Sequence, residues 1–206
     1  EADFLSQPTV YRPSIIVGDS QNGFSTTFHG FYAALHLAHT LWQTATSEPQ
    51  STVRAQPAPT RLTLDGNERK NFVTVDWVSS AISEILVRPE CHGQTYHLTS
   101  PDPVTTRVMS DVLEQVIESC HNSFVGPGPL KDPSNIERLF YEQMQVYSSY
   151  WRDDPEFDMG NTCEALPGLP PTTVDHDMLV RLSEAAIEMG FRWRDRLVAS
   201  PEPATR

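Results

Sequence analysis

The sequence predicts an α/β chain that passes into a mainly helical C-terminal part. β-branched and aromatic runs alternate with stretches of helical apolar spacing over the first 121 residues. Their order is strand, turn, helix, strand, turn, helix, and beyond Asn122 the pattern changes to Pro/Gly loops and two helical stretches.

Residues 9–18, TVYRPSIIVG, end at a glycine and read as a buried strand with its loop starting at Gly18. Pro13 has no N–H for a sheet ladder, so it marks an edge, a bulge or the point where the strand bends out of the sheet. Residues 18–30, GDSQNGFSTTFHG, form a loop with a turn at Asn22-Gly23. Leu35, Ala38, Leu41 and Trp42 have near-helical spacing over 31–42, and the Pro/Ser/Thr/Gln-rich stretch 44–59 is expected to be a solvent-exposed excursion. A short strand at 61–64 and a turn at Asp65-Gly66 lead into a second strand at 71–75.

Asp76 precedes apolar residues at Val78, Ile82, Ile85 and Leu86, so it is expected to be the N-cap of a helix ended before Pro89 rather than a general base. The unit then repeats. Residues 95–99 are a strand, Pro101 and Pro103 mark a turn, and Val108, Val112, Leu113, Val116 and Ile117 form a helical stripe. Further helices are expected at 133–147 and 175–189.

Composition narrows the function classes. With 38% hydrophobic residues the chain suits a folded soluble protein, and no window approaches the roughly 18 apolar residues of a membrane span. The formal charge of −12 argues against nucleic acid or an anionic membrane as the main partner. The three cysteines, Cys91, Cys120 and Cys163, give no disulfide framework, so a cytoplasmic setting is expected. Cys91-His92 and Cys120-His121 lack completing ligand spacing, and His36 and His39 share a helix face without a nearby third ligand, so no metal is expected. The chain begins at Glu1 with no methionine or leader, which reads as a cut terminus.

Together the strings YRPSIIVGDSQNG, FHGFY, NFVTVDWVSSAI and TYHLTSPDPVTTRVMSDVL resemble the back half of extended short-chain dehydrogenases/reductases, in the NAD-dependent epimerase/dehydratase superfamily. Within that group they are most similar to the thioester-reductase and male-sterility-like branch, as are FDMGNT, LPGLPPTTVD and the closing GFRW. The resemblance runs from about residue 9 to 193. It implies the C-terminal part of a Rossmann-like NAD(P)-binding fold, the last sheet strands and helices, plus a small mainly helical substrate lobe. On that reading 1–121 belongs to the Rossmann-like domain, with an inserted substrate-side region at about 18–70, and 122–206 forms the helical lobe and tail.

The same resemblance implies that Pro13, Ser14, Ile15 and Ile16 lie beside the nicotinamide of NAD or NADP and that His29 contacts a small-molecule substrate. Each has a plainer alternative: an edge strand for the first four, an ordinary loop residue for His29. Trp151 with Arg152-Asp153-Asp154 reads as a recognition patch or, more often for such a run, as a solvated helix end and loop. Two family features are missing. The sequence has no glycine-rich strand-to-helix turn for the pyrophosphate, Gly126-Pro127-Gly128 being a turn, and none of its six tyrosines has a lysine four positions on. No catalytic residue is therefore expected here, and the N-terminal Rossmann half is the implied partner. The rival reading is a non-catalytic truncated or regulatory binding protein of the same fold.

Overall fold

The computed structural model describes residues 8–47, 60–117 and 120–192. The first predicted strand is two. β1 (Val10–Pro13) pairs in parallel with β6 (Thr95–Leu98), and β2 (Ile15–Val17) pairs in parallel with β5 (Phe72–Thr74). The chain changes partner at Ser14, whose N–H donates to the Leu98 carbonyl at 3.1 Å, while the next N–H, of Ile15, donates to the Asn71 carbonyl at 3.2 Å. Of the three options that Pro13 left open, the bend is the one observed. It ends β1 opposite Leu98, where its missing N–H interrupts no ladder bond.

α2 (Val75–Leu86) connects β5, the partner of β2, to β6, the partner of β1. Its stripe of Trp77, Val78, Ala81 and Ile85 is buried with Val73, Tyr96 and Leu98. Asp76 does not cap this helix. The extended residue before the first turn is Thr74, so Asp76 falls inside that turn and cannot reach back as an N-cap does. Its carboxylate instead accepts the Ser20 N–H at 2.9 Å and the Ser20 hydroxyl at 2.7 Å, tying down the loop after β2.

A second core gathers around α1 (Phe31–Ser47), α3 (Thr106–Val116) and α6 (His176–Glu188). Leu35, Val112, Leu179 and Leu182 pack there with Val17 and Phe72 of the sheet. Gly23 lets the loop approach this bundle. It has φ +71°, and a Cβ on it would lie 2.7 Å from that of Ala185. Residues 44–47 of the expected excursion continue α1, and 48–59 lie outside the described residues.

Two further pairings complete the frame. β4 (Arg69–Lys70) runs antiparallel to β7 (Val104–Thr105), and β3 (Thr60–Leu62) runs parallel to β8 (Asn122–Phe124), a strand in a stretch the sequence suggested was loop. The stretch read as one helix at 133–147 is α4 (Asn135–Met144) followed by a 3-10 turn at Gln145–Trp151, and α5 (Gly160–Ala165) was not anticipated. No helix among the described residues is long and apolar enough to cross a membrane.

α4 opens on a capping box between Ser134 and Glu137. Glu137 also accepts the Arg61 N–H at 3.0 Å, Nε at 2.8 Å and Nη2 at 2.9 Å, clamping α4 to β3. These bonds from Arg61, outweighing burial, pull the Glu137 carboxyl down to about 2. A glutamate in the unfolded chain titrates near ~4.3, so the folded state binds fewer protons between the two values. The resulting stability is present above the unfolded value and is lost as pH falls toward about 2. Melting temperature followed by circular dichroism from pH about 6 to about 2 should therefore fall more steeply for the wild type than for Glu137→Gln. Parallel curves would remove Glu137 as a source of acid sensitivity.

Candidate functional site

Three consecutive residues, Arg69, Lys70 and Asn71, arrange the site. Asn71 closes a reciprocal pair with Ser100, its amide donating to the Ser100 carbonyl at 2.7 Å and its side-chain oxygen accepting the Ser100 N–H at 2.9 Å. Its N–H donates to Asp154 at 2.8 Å. Lys70 is 3% exposed, and its ammonium donates to Asp154 Oδ1 at 2.5 Å and to the Arg152 carbonyl at 2.6 Å. Arg69 holds Asp153 through both its N–H and its guanidinium, and those bonds keep the Asp153 carboxyl below its ordinary range. The run 152–154 is therefore bound along one side of the fold. Arg152 and Asp153 are exposed where the 3-10 turn ends, as the composition suggested, so the run is a solvated helix end tied down by these bonds.

Anchoring these residues fixes Trp151, which borders three adjoining cavities. An inner chamber of about 130 Å³ lies among Ala34, Ala38, Leu62, Met109, Leu113 and Ile117. An outer chamber of about 570 Å³ shares Leu62, Leu64, Phe140 and Trp151 with it and is also lined by Tyr141 and Met144. A small hollow of about 20 Å³ joins Trp151 to Ile15, Gly30 and Phe72.

The outer chamber is the most charged of the three, and Lys70 lines the small hollow. Asp65, Glu68, Arg152 and Asp153 border the outer chamber. Burial raises the Glu68 carboxyl, but hydrogen bonds from the Thr106 hydroxyl and from the Asp65 and Gly66 N–H groups outweigh it and hold the group below its ordinary range. Glu68 therefore remains an anion at neutral pH.

Pro13, Ser14, Ile15 and Ile16 are brought together at the strand break but do not share one face. Ile15 packs against the core and lines the small hollow, whereas Pro13 is exposed and Ile16 is 43% exposed. The Ser14 hydroxyl is buried without a hydrogen-bond partner among the described residues. His29 is exposed in the loop beside Gly30, with its carbonyl accepting the Tyr32 N–H. Tyr32 is structural. Its hydroxyl accepts the Gly18 N–H at 3.1 Å, and burial pushes its pKa up to about 12, leaving it a neutral group that pins the loop.

His36 and His39 lie against Phe191, His36 stacked at 4.4 Å. Sequence reasoning missed Arg69, Lys70, Met109 and Phe140 as site-forming residues, because their roles depend on partners distant in sequence.

Neither a family model nor a curated protein matches the sequence. Solved structures do match. The terminal R domain from the myxalamid PKS-NRPS biosynthetic pathway aligns over 89% of this chain and 44% of its own, at 21% identity and a TM-score of 0.60. A thiolation-reductase di-domain from an archaeal non-ribosomal peptide synthetase aligns over 89% of this chain and 36% of its own, at 14% identity and a TM-score of 0.58. UDP-glucuronic acid 4-epimerase from Bacillus cereus, in complex with UDP-glucuronic acid and NAD, aligns over 88% and 45%, at 12% identity and a TM-score of 0.50. The chain spans less than half the length of each of these proteins. What it shares with them is the fold, a part of a Rossmann-like α/β architecture.

The clamp on Trp151 can be tested directly. Lys70→Met leaves Asp154 without its cation, and breaking a buried pair from one side costs about 3 kcal/mol. Denaturant unfolding should show a loss of that order, and a change under about 0.5 kcal/mol, the level typical of surface sites, would show that the ion pair does not hold the segment.

Proposed function

We propose that the chain is the substrate-side half of an NAD(P)-dependent oxidoreductase of the extended short-chain dehydrogenase/reductase type, acting at a carbonyl, alcohol or thioester-derived carbon. The observation that carries this reading is that Ile15 and Trp151 line one hollow. Hydride transfer requires donor and acceptor carbons about 3–3.5 Å apart, so the wall behind a nicotinamide has to adjoin the cavity that holds the substrate. Here the strand assigned to that wall and the cavity assigned to the substrate meet at one tryptophan.

In this reading Pro13, Ser14, Ile15 and Ile16 form the wall. Pro13 fixes the backbone where the chain leaves β6, and the branched isoleucines present a stiff surface without competing hydrogen bonds. Ile16 has exposed apolar surface on the face of the strand away from Ile15, and the Ser14 hydroxyl is buried with no hydrogen-bond partner among the described residues. NAD or NADP supplies the hydride chemistry when bound. The epimerase of the same fold is seen with NAD, which supports that choice of cofactor. His29, next to Gly30 at the edge of the hollow, is the proposed substrate contact from the loop side. The pyrophosphate turn and the proton-transferring Tyr–Lys pair are assigned to an N-terminal Rossmann half, the required partner, in a cytoplasmic protein.

In the protein completed by that half, Ile16→Trp should weaken cofactor binding or lower turnover tenfold or more, about 1.4 kcal/mol. Leu182→Ala, in the core under the loop, should instead lower stability by about 2–5 kcal/mol and leave cofactor affinity unchanged. A cofactor titration on folded Ile16→Trp that matches the wild type in affinity and turnover would return residues 13–16 to an ordinary strand. A coding sequence ahead of Glu1 without a glycine-rich turn and a Tyr-x-x-x-Lys pair would favour the non-catalytic rival.

A further inference from the structure

The two chambers differ in chemistry, and that difference selects a ligand. No Lys, Arg, Asp or Glu lines the inner chamber among the described residues. Its one thiol, Cys120, is pushed up to about 11 by burial and is therefore a neutral group at physiological pH. Ser110 and Asn122, also on its wall, are bonded to each other at 3.0 Å, and the Asn122 N–H is taken by Glu114 at 2.7 Å. Thr106 donates to Glu68, and Thr60 and His121 are the other polar residues of the wall. Most of what faces the space is aliphatic and aromatic.

The inner volume of about 130 Å³, which is partly open to solvent, is close to that of the apolar cavities of roughly 150 Å³ that take up one benzene ring. The outer chamber carries three carboxylates against one arginine on its rim, and the neighbouring cations Arg69 and Lys70 are already engaged by Asp153 and Asp154. A nucleoside diphosphate, such as the one bound by the epimerase of this fold, needs basic side chains or free N–H groups for its phosphates. The N–H groups of Asp65 and Gly66, which could serve, are occupied by Glu68.

We propose that this site takes an apolar ligand without anionic groups, whose end group, the size of one ring or a branched alkyl, seats in the inner chamber behind Trp151. The proposal rests on the reading of this cavity as the substrate site and goes beyond it by naming the substrate class. Trp151 acts as the size-determining residue, because its ring borders both chambers and its backbone is held by the carbonyl and carboxylates that follow it. Ala38 also lines the inner chamber. Its small side chain leaves the space that a larger residue would fill.

The test uses the 206-residue chain without cofactor, so its result is independent of the hydride-transfer reading. n-Butylbenzene is the neutral apolar probe and UDP the nucleotide probe, both titrated by calorimetry. The expected result is saturable binding of butylbenzene and at least tenfold weaker binding of UDP. Ala38→Phe, which fills the inner chamber, should weaken butylbenzene at least tenfold while the melting temperature is kept. Leu113→Phe, from the opposite helix, serves the same purpose if Ala38→Phe does not fold. The proposal is overturned if the folded wild type gives no butylbenzene binding, if UDP binds as tightly as butylbenzene, or if a folded chamber-filling variant keeps wild-type affinity. Butylbenzene binding with no cofactor effect of Ile16→Trp would uphold this inference and overturn the oxidoreductase reading. The reverse pair of results would do the opposite.

Discussion

Burial of the Lys70 ammonium is the constraint on which the rest of this structure depends. A charge removed from water costs several kcal/mol unless it is met by an opposite charge and its remaining donors are satisfied. Lys70 meets that condition only if the chain more than eighty residues later presents both the Arg152 carbonyl and the Asp154 carboxylate to it. The flanking residues extend the match, with Arg69 on Asp153 and the Asn71 N–H on the second oxygen of Asp154. Asn71 then reaches the other way, its carbonyl receiving Ile15 and its amide gripping Ser100. One tripeptide therefore sets the strand bend at Ser14, the turn after β6 and the position of Trp151.

Much of the frame was legible in the sequence, because the features that specify it are local. The apolar spacing of α2 and α3 is legible and meets the buried faces at Val78, Ile85 and Val112, whereas Leu86, counted in the α2 stripe, is 61% exposed and Trp77 and Ala81 are buried beside Val78 and Ile85. The strands at residues 10–17, 72–74 and 95–98 carry β-branched and aromatic residues, and Pro13 lies at the observed bend. Asp76 shows the limit of such reading. A carboxylate ahead of an apolar helix is a cap by local rules, but β5 runs straight into α2 here and moves the cap position to Thr74. Asp76 is left in the first turn, where a negative charge still favours the helix dipole while its oxygens go to Ser20.

The candidate site was legible only in fragments. Trp151-Arg152-Asp153-Asp154 stood out as a run, but its composition is that of a solvated loop, and nothing within several residues of it shows that Lys70 is buried opposite. The strand Asn122–Phe124 was hidden for a similar reason. Asn, Ser and Phe have little β preference as a group, and the segment is extended because Thr60–Leu62 lies alongside it in parallel register. Nothing near Glu137 in sequence marks it for burial, which follows from Arg61, itself placed by that strand pairing. In each case the deciding partner is distant in sequence, and a single sequence holds no record of which distant residues meet.

The separation between the proposed cofactor wall and the cavity follows from these same bonds. Ile15 is positioned by a main-chain hydrogen bond to Asn71, and Trp151 by bonds that end on Lys70 and Asn71, so both are referred to adjacent residues of one short segment. A loop-borne wall could drift relative to the cavity by more than the tolerance of hydride transfer, where a misplacement of about 1 Å already costs on the order of a hundredfold in rate. Hydrogen bonds to one tripeptide restrict that freedom and leave ligand size to side chains outside this network. Ala38 and Leu113 line the inner chamber without entering the Arg69–Asn71 network. The fold can therefore change the size of what it accepts without disturbing the distance on which the chemistry would depend.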